Sequence, residues 1–235
     1  MKTRDGIYRR SDSILRIILV CSAILAITFR EAEAQRLSAY GGLGVNYYQA
    51  NSITNFLNAS GIGNIKPGGF TSAIQFSIGA GYAVTAGWEL GIDYAYMIDS
   101  FSGNSGAGSQ QVSLSYSLPS LTIHRLIKGE GYSFRFGGAF GYHFGSISIS
   151  SPYSSRTQDY SGRGVGVKLD ASIDTKLDEK LYVRVGVHAL SEFIDQPKAS
   201  DGTGLTYTDY NSGNQDPVKM NLIGVGVSLG LVYYF

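Results

Sequence analysis

Large apolar side chains recur at every second position through most of the chain. In the last segment Ile223, Val225, Val227, Leu229, Leu231, Tyr233 and Phe235 share one face. Gly224, Gly226, Ser228, Gly230, Val232 and Tyr234 share the other, which is mostly small. A period of two is the repeat of a β-strand. Applied from Gln35 onward, it predicts eight strands: Leu37–Tyr48, Thr71–Ala83, Trp88–Ile98, Gln111–Leu126, Tyr132–Ile149, Gly164–Asp174, Leu181–Leu190 and Met220–Phe235. Connections alternate in length. Val84–Gly87, Ile127–Gly131 and Thr175–Lys180 are short, whereas Gln49–Phe70, Asp99–Gln110, Ser150–Arg163 and Ser191–Lys219 are long and polar. Tight turns at one end and long loops at the other describe an up-and-down membrane barrel.

Size and charge decide which face points outward. One face carries Leu43, Val45 and Tyr47; Ile74, Phe76 and Ile78; Trp88, Leu90, Ile92, Tyr94 and Tyr96; Phe134, Phe136, Phe140, Tyr142 and Phe144; and Val183, Val185 and Val187. The other carries Gly42, Gly44, Gly79, Gly81, Gly91, Gly137, Gly141, Gly166 and Gly186 with Glu89, Asp93, Arg135, Lys168, Asp170, Asp174 and Arg184. The interior of an eight-stranded barrel is just wide enough for side chains. The aromatic face is too bulky for it, and a Lys or Arg facing lipid at midplane costs roughly 2–4 kcal/mol. The apolar face therefore meets lipid.

Rings such as Trp88, Tyr132, Tyr233 and Phe235 near the short turns, and Tyr47, Tyr96 and Tyr142 near the long loops, suit the two membrane interfaces. The fourth strand departs from the pattern. Val112, Leu114, Tyr116 and Leu118 keep one phase and Leu121 and Ile123 the other, so a bulge is expected near Pro119–Ser120.

The N-terminus reads as an export signal. Lys2, Arg4, Arg9, Arg10 and Arg16 precede the short apolar run Ile17–Phe29, and Ala32-Glu33-Ala34 gives a small-x-small cleavage pattern before Gln35. The expected division is a signal peptide over 1–34 and one barrel domain over 35–235. Cys21, the only cysteine, leaves with the signal, so no disulfide or cysteine metal site is expected. Six of the 19 basic and four of the 18 acidic side chains also precede Gln35. The near-neutral remainder offers no electrostatic footprint for nucleic acid. With 31 glycines and 17 tyrosines against five prolines, the composition favours strands and turns.

The ending Leu231, Tyr233, Phe235 resembles the C-terminal assembly signal of bacterial outer-membrane barrels, which finishes on an aromatic residue. With the signal, the eight strands and the loop asymmetry, residues 35–235 resemble the small OmpA-transmembrane-domain, OmpX and OmpW group. The resemblance implies an all-β fold, an eight-stranded antiparallel up-and-down transmembrane β-barrel preceded by a cleaved signal peptide. It also implies location in the bacterial outer membrane, recognition by the barrel-assembly machinery, contact with outer-membrane lipid and lipopolysaccharide, and a monomeric state.

For function, the expectation is a non-enzymatic barrel with no cofactor. The inward charges Glu89, Asp93, Arg135, Lys168, Asp170, Asp174 and Arg184 should pair into a plug, because isolated charges in the lumen would be costly. Arg184 should meet Asp174 across the Thr175–Lys180 turn, and Arg135 should reach Glu89 or Asp93. A small pore or OmpW-like conduit for hydrophobic solutes is the alternative. A lipid A-modifying enzyme is the third reading, since some barrels of this size use Ser, His and an acid. His188, Ser191 and Glu192 lie close in sequence and His143 precedes Ser146, but neither spacing reproduces the His-x-Ser of the deacylases. His124, His143 and His188 are expected to be polar interior residues, and no ligand spacing marks a metal site.

Ser191–Lys219, the longest loop, holds Tyr207 and Tyr210, while Tyr153 and Tyr160 lie in the loop before the sixth strand. Tyr among small polar residues suits adhesion or surface binding. Ile53, Phe56 and Leu57 fall at helical spacing in the first loop. Shortening Ser191–Lys219 is expected to leave folding intact.

Overall fold

A computed structural model describes residues 36–61, 69, 71–105, 108–150, 157–208 and 213–235. The proposed signal over 1–34 and the loop tyrosines Tyr153 and Tyr210 lie outside them. Leu37–Phe235 forms the barrel unit. Its strands are β1 Leu37–Gln49, β2 Thr71–Thr85, β3 Trp88–Ser105, β4 Gly108–Gly129, β5 Tyr132–Ser150, β6 Gln158–Lys176, β7 Leu181–Ile194 and β10 Leu222–Tyr234. Each pairs antiparallel with its chain neighbour, and β1 pairs β10 to close the ring. Helix α1, Asn51–Ala59, follows β1, and a two-stranded hairpin, β8 Thr206–Thr208 with β9 Gln215–Pro217, lies between β7 and β10.

Closure leaves no unpaired edge, which is what a sheet in lipid requires. The assigned phase holds on every strand. Leu43, Ile78, Ile92, Phe140, Leu169, Val187 and Leu229 are exposed on the outer wall, whereas Glu89, Asp93, Arg135 and Asp174 are buried inside. The molecule is an eight-stranded transmembrane β-barrel of the outer-membrane type. At the turn end the Arg125 guanidinium lies 5.5 Å above the Trp88 ring. There Tyr233 and Phe235 meet edge to face with centroids 5.0 Å apart. Leu231 and Tyr233 stand opposite Gly41 and Ala39 in the closing ladder, and the Phe235 N–H donates to the Leu37 carbonyl. The terminal aromatic is thus the final stitch of the ring.

Three expectations change. Pro119 makes no bulge. β4 keeps one register against β5 on both sides of it, Ser117 opposite Phe144 and Ser120 opposite Gly141, and only the Leu118 and Pro119 pairs drop from that ladder. Proline lacks the N–H, so the strand omits a rung instead of shifting. The apparent change of phase comes from the barrel. Val112, Leu114, Tyr116 and Leu118 face the lumen where it is apolar, and Leu121 and Ile123 face lipid.

Secondly, β3, β4 and β6 run further toward the loop end than the pattern indicated. Much of the expected loops is therefore ladder. The extension of β6 also sets Asp159 and Arg163 on the outer wall.

Thirdly, the interior is not polar throughout. Its loop-end half holds an apolar cluster including Met97, Val112, Leu114, Tyr116, Ile147, Leu190, Ile194 and Leu222. Ile53, Phe56 and Leu57, on the amphipathic face of α1, cap this cluster, so the predicted helical spacing is real. Leu205 and Val218 of the longest loop, and Met220 just after it, join it as well. That loop is partly core.

Candidate functional site

Among the described residues, many chemically active side chains meet in the lumen, and strand alternation puts them there. In the turn-end half, Arg135 donates to Glu89 at 2.5 Å and to His124 Nδ1 at 3.2 Å. Because a guanidinium can only donate, His124 Nδ1 accepts, and its Nε2–H faces Asp170 Oδ1 at 2.7 Å. Lys168 reaches Asp93 at 2.5 Å and lies 3.9 Å from Asp170. Arg184 grips Asp174 through two bonds of 2.6 and 2.9 Å, and the Tyr234 hydroxyl adds a third at 2.7 Å. Two guanidiniums lie over the Tyr40 ring, that of Arg184 4.5 Å from its centroid and that of Arg135 5.7 Å away. A cavity of about 70 Å³ remains among these groups. That is room for a few water molecules.

All seven predicted interior residues, Glu89, Asp93, Arg135, Lys168, Asp170, Asp174 and Arg184, therefore join ion pairs. Both named pairings, Arg184 with Asp174 and Arg135 with Glu89, are made. Asp170 stands opposite His188 in the ladder, as the register across the Thr175–Lys180 turn requires, and its carboxylate bonds to His124. His188 instead bonds Asn46 at 2.6 Å, and Asn46 donates to Gln75 at 2.9 Å.

A second chain sits midway along the barrel. Ser120 Oγ lies 3.0 Å from His143 Nε2, and His143 Nδ1 bonds Glu192 at very short range. Sequence reading missed this set because its members come from β4, β5 and β7, which no linear spacing records. Gly166 makes room for it, since a Cβ there would fall 2.0 Å from Glu192 Oε2 and 2.3 Å from His143 Nδ1. Ser, His and Glu stand in the order of a hydrolase relay. However, His143 and Glu192 are 3% and 2% exposed and Leu118, Tyr116 and Met220 of the apolar cluster are buried in the loop-end half. Lys168 and Asp93 pair in the turn-end half. Ser120 itself is half-buried. Among the described residues no set of three His, Cys, Asp or Glu is arranged to hold a metal ion.

The external crown is built on the apolar seal. Asn55 of α1 donates to the Tyr207 hydroxyl at 3.3 Å, and the Lys219 N–H donates to Ser52 Oγ at 2.8 Å. Tyr160 and Tyr207 lean against the cluster instead of standing free.

No protein-family model and no curated protein sequence matches the chain. Solved structures do resemble it in shape. The attachment invasion locus protein Ail of Yersinia pestis, crystallised with the heparin analogue sucrose octasulfate, is 12% identical with a TM-score of 0.49 over 86% of this chain and 100% of that one. Neisserial surface protein A is 12% identical with a TM-score of 0.49, over 87% and 100%. The outer membrane protein OprG of Pseudomonas aeruginosa is 14% identical with a TM-score of 0.46, over 86% and 97%.

Proposed function

We propose that this outer-membrane barrel is a non-enzymatic, non-conducting scaffold that presents its external crown for adhesion or surface binding. The observation that carries this reading is the apolar seal. Val112, Leu114, Met97, Ile147, Ile194 and Met220 fill the loop-end half of the lumen, and α1 lies over them. Ion pairs fill the other half. A closed, rigid barrel leaves its loops as the surface on which binding usually resides.

Because Leu205 and Val218 are buried in the seal, the crown can be cut back only between them. The test replaces Thr206–Pro217 with a short Gly-Asn turn and displays both proteins on a non-adherent Gram-negative host. Wild type should raise adhesion to epithelial monolayers above the empty host, and the cut-back barrel should lose that gain at equal folded surface level. Wild type that adheres no better than the empty host, or a cut-back protein that adheres as well as wild type, would overturn the reading.

A second reading is favoured by one observation, the Ser120–His143–Glu192 chain. If it were an acyl hydrolase, a fluorophosphonate probe would label the folded barrel at Ser120 and the His143→Ala variant would not be labelled. The scaffold reading expects no labelling of either.

A further inference from the structure

One sector of the outer wall breaks the apolar belt. At the loop end, β4, β5 and β6 turn serines outward, and register aligns them. Ser115 pairs with Ser146, Ser146 with Ser161, and Ser161 bridges to Lys198 of the loop after β7. With neighbouring strands roughly 4.8 Å apart, this row spans about 14 Å. One rung nearer mid-barrel lie Ser117, Phe144 and Arg163, each opposite the next. Arg163 and Lys198 are exposed and pair with no carboxylate among the described residues.

The side chains enclose a groove of about 650 Å³ whose lining includes Ser115, Ser146, Ser161, Arg163 and Lys198. Asp195 is the carboxylate in that lining, and Asp159, one rung further out, is held by Ser148. At comparable height the other strands keep Tyr47, Ile74, Ile98 and Ile223 exposed on the wall. Toward mid-barrel the groove runs onto exposed Phe144, Tyr142, Phe140, Val165 and Val167.

We infer that this groove binds the headgroup of a phosphorylated glycolipid of the outer leaflet, with the acyl chains on the aromatic strip beneath it. Hydroxyls in a row suit sugar oxygens, and two cations with no carboxylate partner among the described residues suit phosphate. Arg163 lies near the loop end of β6, and toward the rim of the apolar band an outward Arg costs about 0–1 kcal/mol instead of the midplane figure. A free anion would make no use of the aromatic strip. The inference does not depend on what the crown binds.

Native mass spectrometry tests it. Folded barrel is equilibrated with bisphosphorylated lipid A or with the same lipid dephosphorylated, and the lipid retained is counted. Wild type should retain the phosphorylated form preferentially by about thirtyfold, roughly fivefold for each basic side chain. Arg163→Gln/Lys198→Gln should retain both forms alike, while Arg163→Lys/Lys198→Arg restores the preference. Arg125→Gln, at the opposite end, should behave as wild type. Heat-modifiable migration shows that each variant is folded. Equal retention of both lipids by wild type, or an undiminished preference in the double Gln variant, would overturn the inference. So would displacement of the lipid by millimolar inorganic phosphate.

Discussion

Replacing Arg135 with Met tests the ion-pair plug at its most buried point. Arg135 is 1% exposed and Glu89 2%. Without the guanidinium, Glu89 keeps a contact with Ser38 Oγ at 3.4 Å, and His124 Nδ1 loses its donor. Breaking one side of a buried pair typically costs about 3–5 kcal/mol, because the remaining charge is left uncompensated. The lost bond to His124 falls within that figure, since contacts sharing one residue are not additive. Replacing both partners, Glu89→Leu with Arg135→Met, removes the stranded charge and should cost less than Arg135→Met alone. The assay is urea-dependent folding into phospholipid vesicles, followed through the fluorescence of Trp88, the single tryptophan of the chain. If Arg135→Met costs under about 1 kcal/mol, or if the double variant costs more than the single one, the plug does not carry buried charge as described.

Three further outcomes follow from particular contacts. Leu114→Ala opens a cavity inside the apolar seal and should cost about 2–5 kcal/mol in the same assay, since Leu114 is 2% exposed. Gly137→Val should sharply reduce the heat-modifiable fraction, because a Cβ at 137 would fall 2.0 Å from the Ile123 carbonyl oxygen and force β5 away from β4. Deleting Phe235 removes the last stitch to Leu37 and, on the assembly-signal reading, should leave unfolded protein in the periplasm. Normal yields of folded barrel from that truncation, measured by heat-modifiable migration, would count against it.

The barrel was legible because alternation is a local property. Leu43 to Tyr47 and Leu229 to Phe235 each state their own outward phase, and a tight turn such as Thr175–Lys180 passes register to the next strand. Arg184 therefore found Asp174 from sequence alone. What was not legible depends on closure. Ser120, His143 and Glu192 meet only because a ring brings β4, β5 and β7 around one axis. The apolar seal was hidden for a related reason. Val112, Leu114, Tyr116 and Leu118 were read against the rule that small and polar side chains fill the lumen, so their phase looked displaced at Pro119. The rule fails where α1 and the long loop cover the barrel and exclude water, and there large apolar side chains belong inside. Arg163 was missed because the polar composition before Gly164 reads as loop although it continues the ladder.

The closed lumen is tested most directly by planar-bilayer recording of the folded barrel, residues 35–235. The ion pairs below and the cluster of Met97, Leu114, Ile147 and Met220 above predict no steady current across the physiological voltage range. A reproducible, ohmic single-channel conductance would contradict the sealed scaffold.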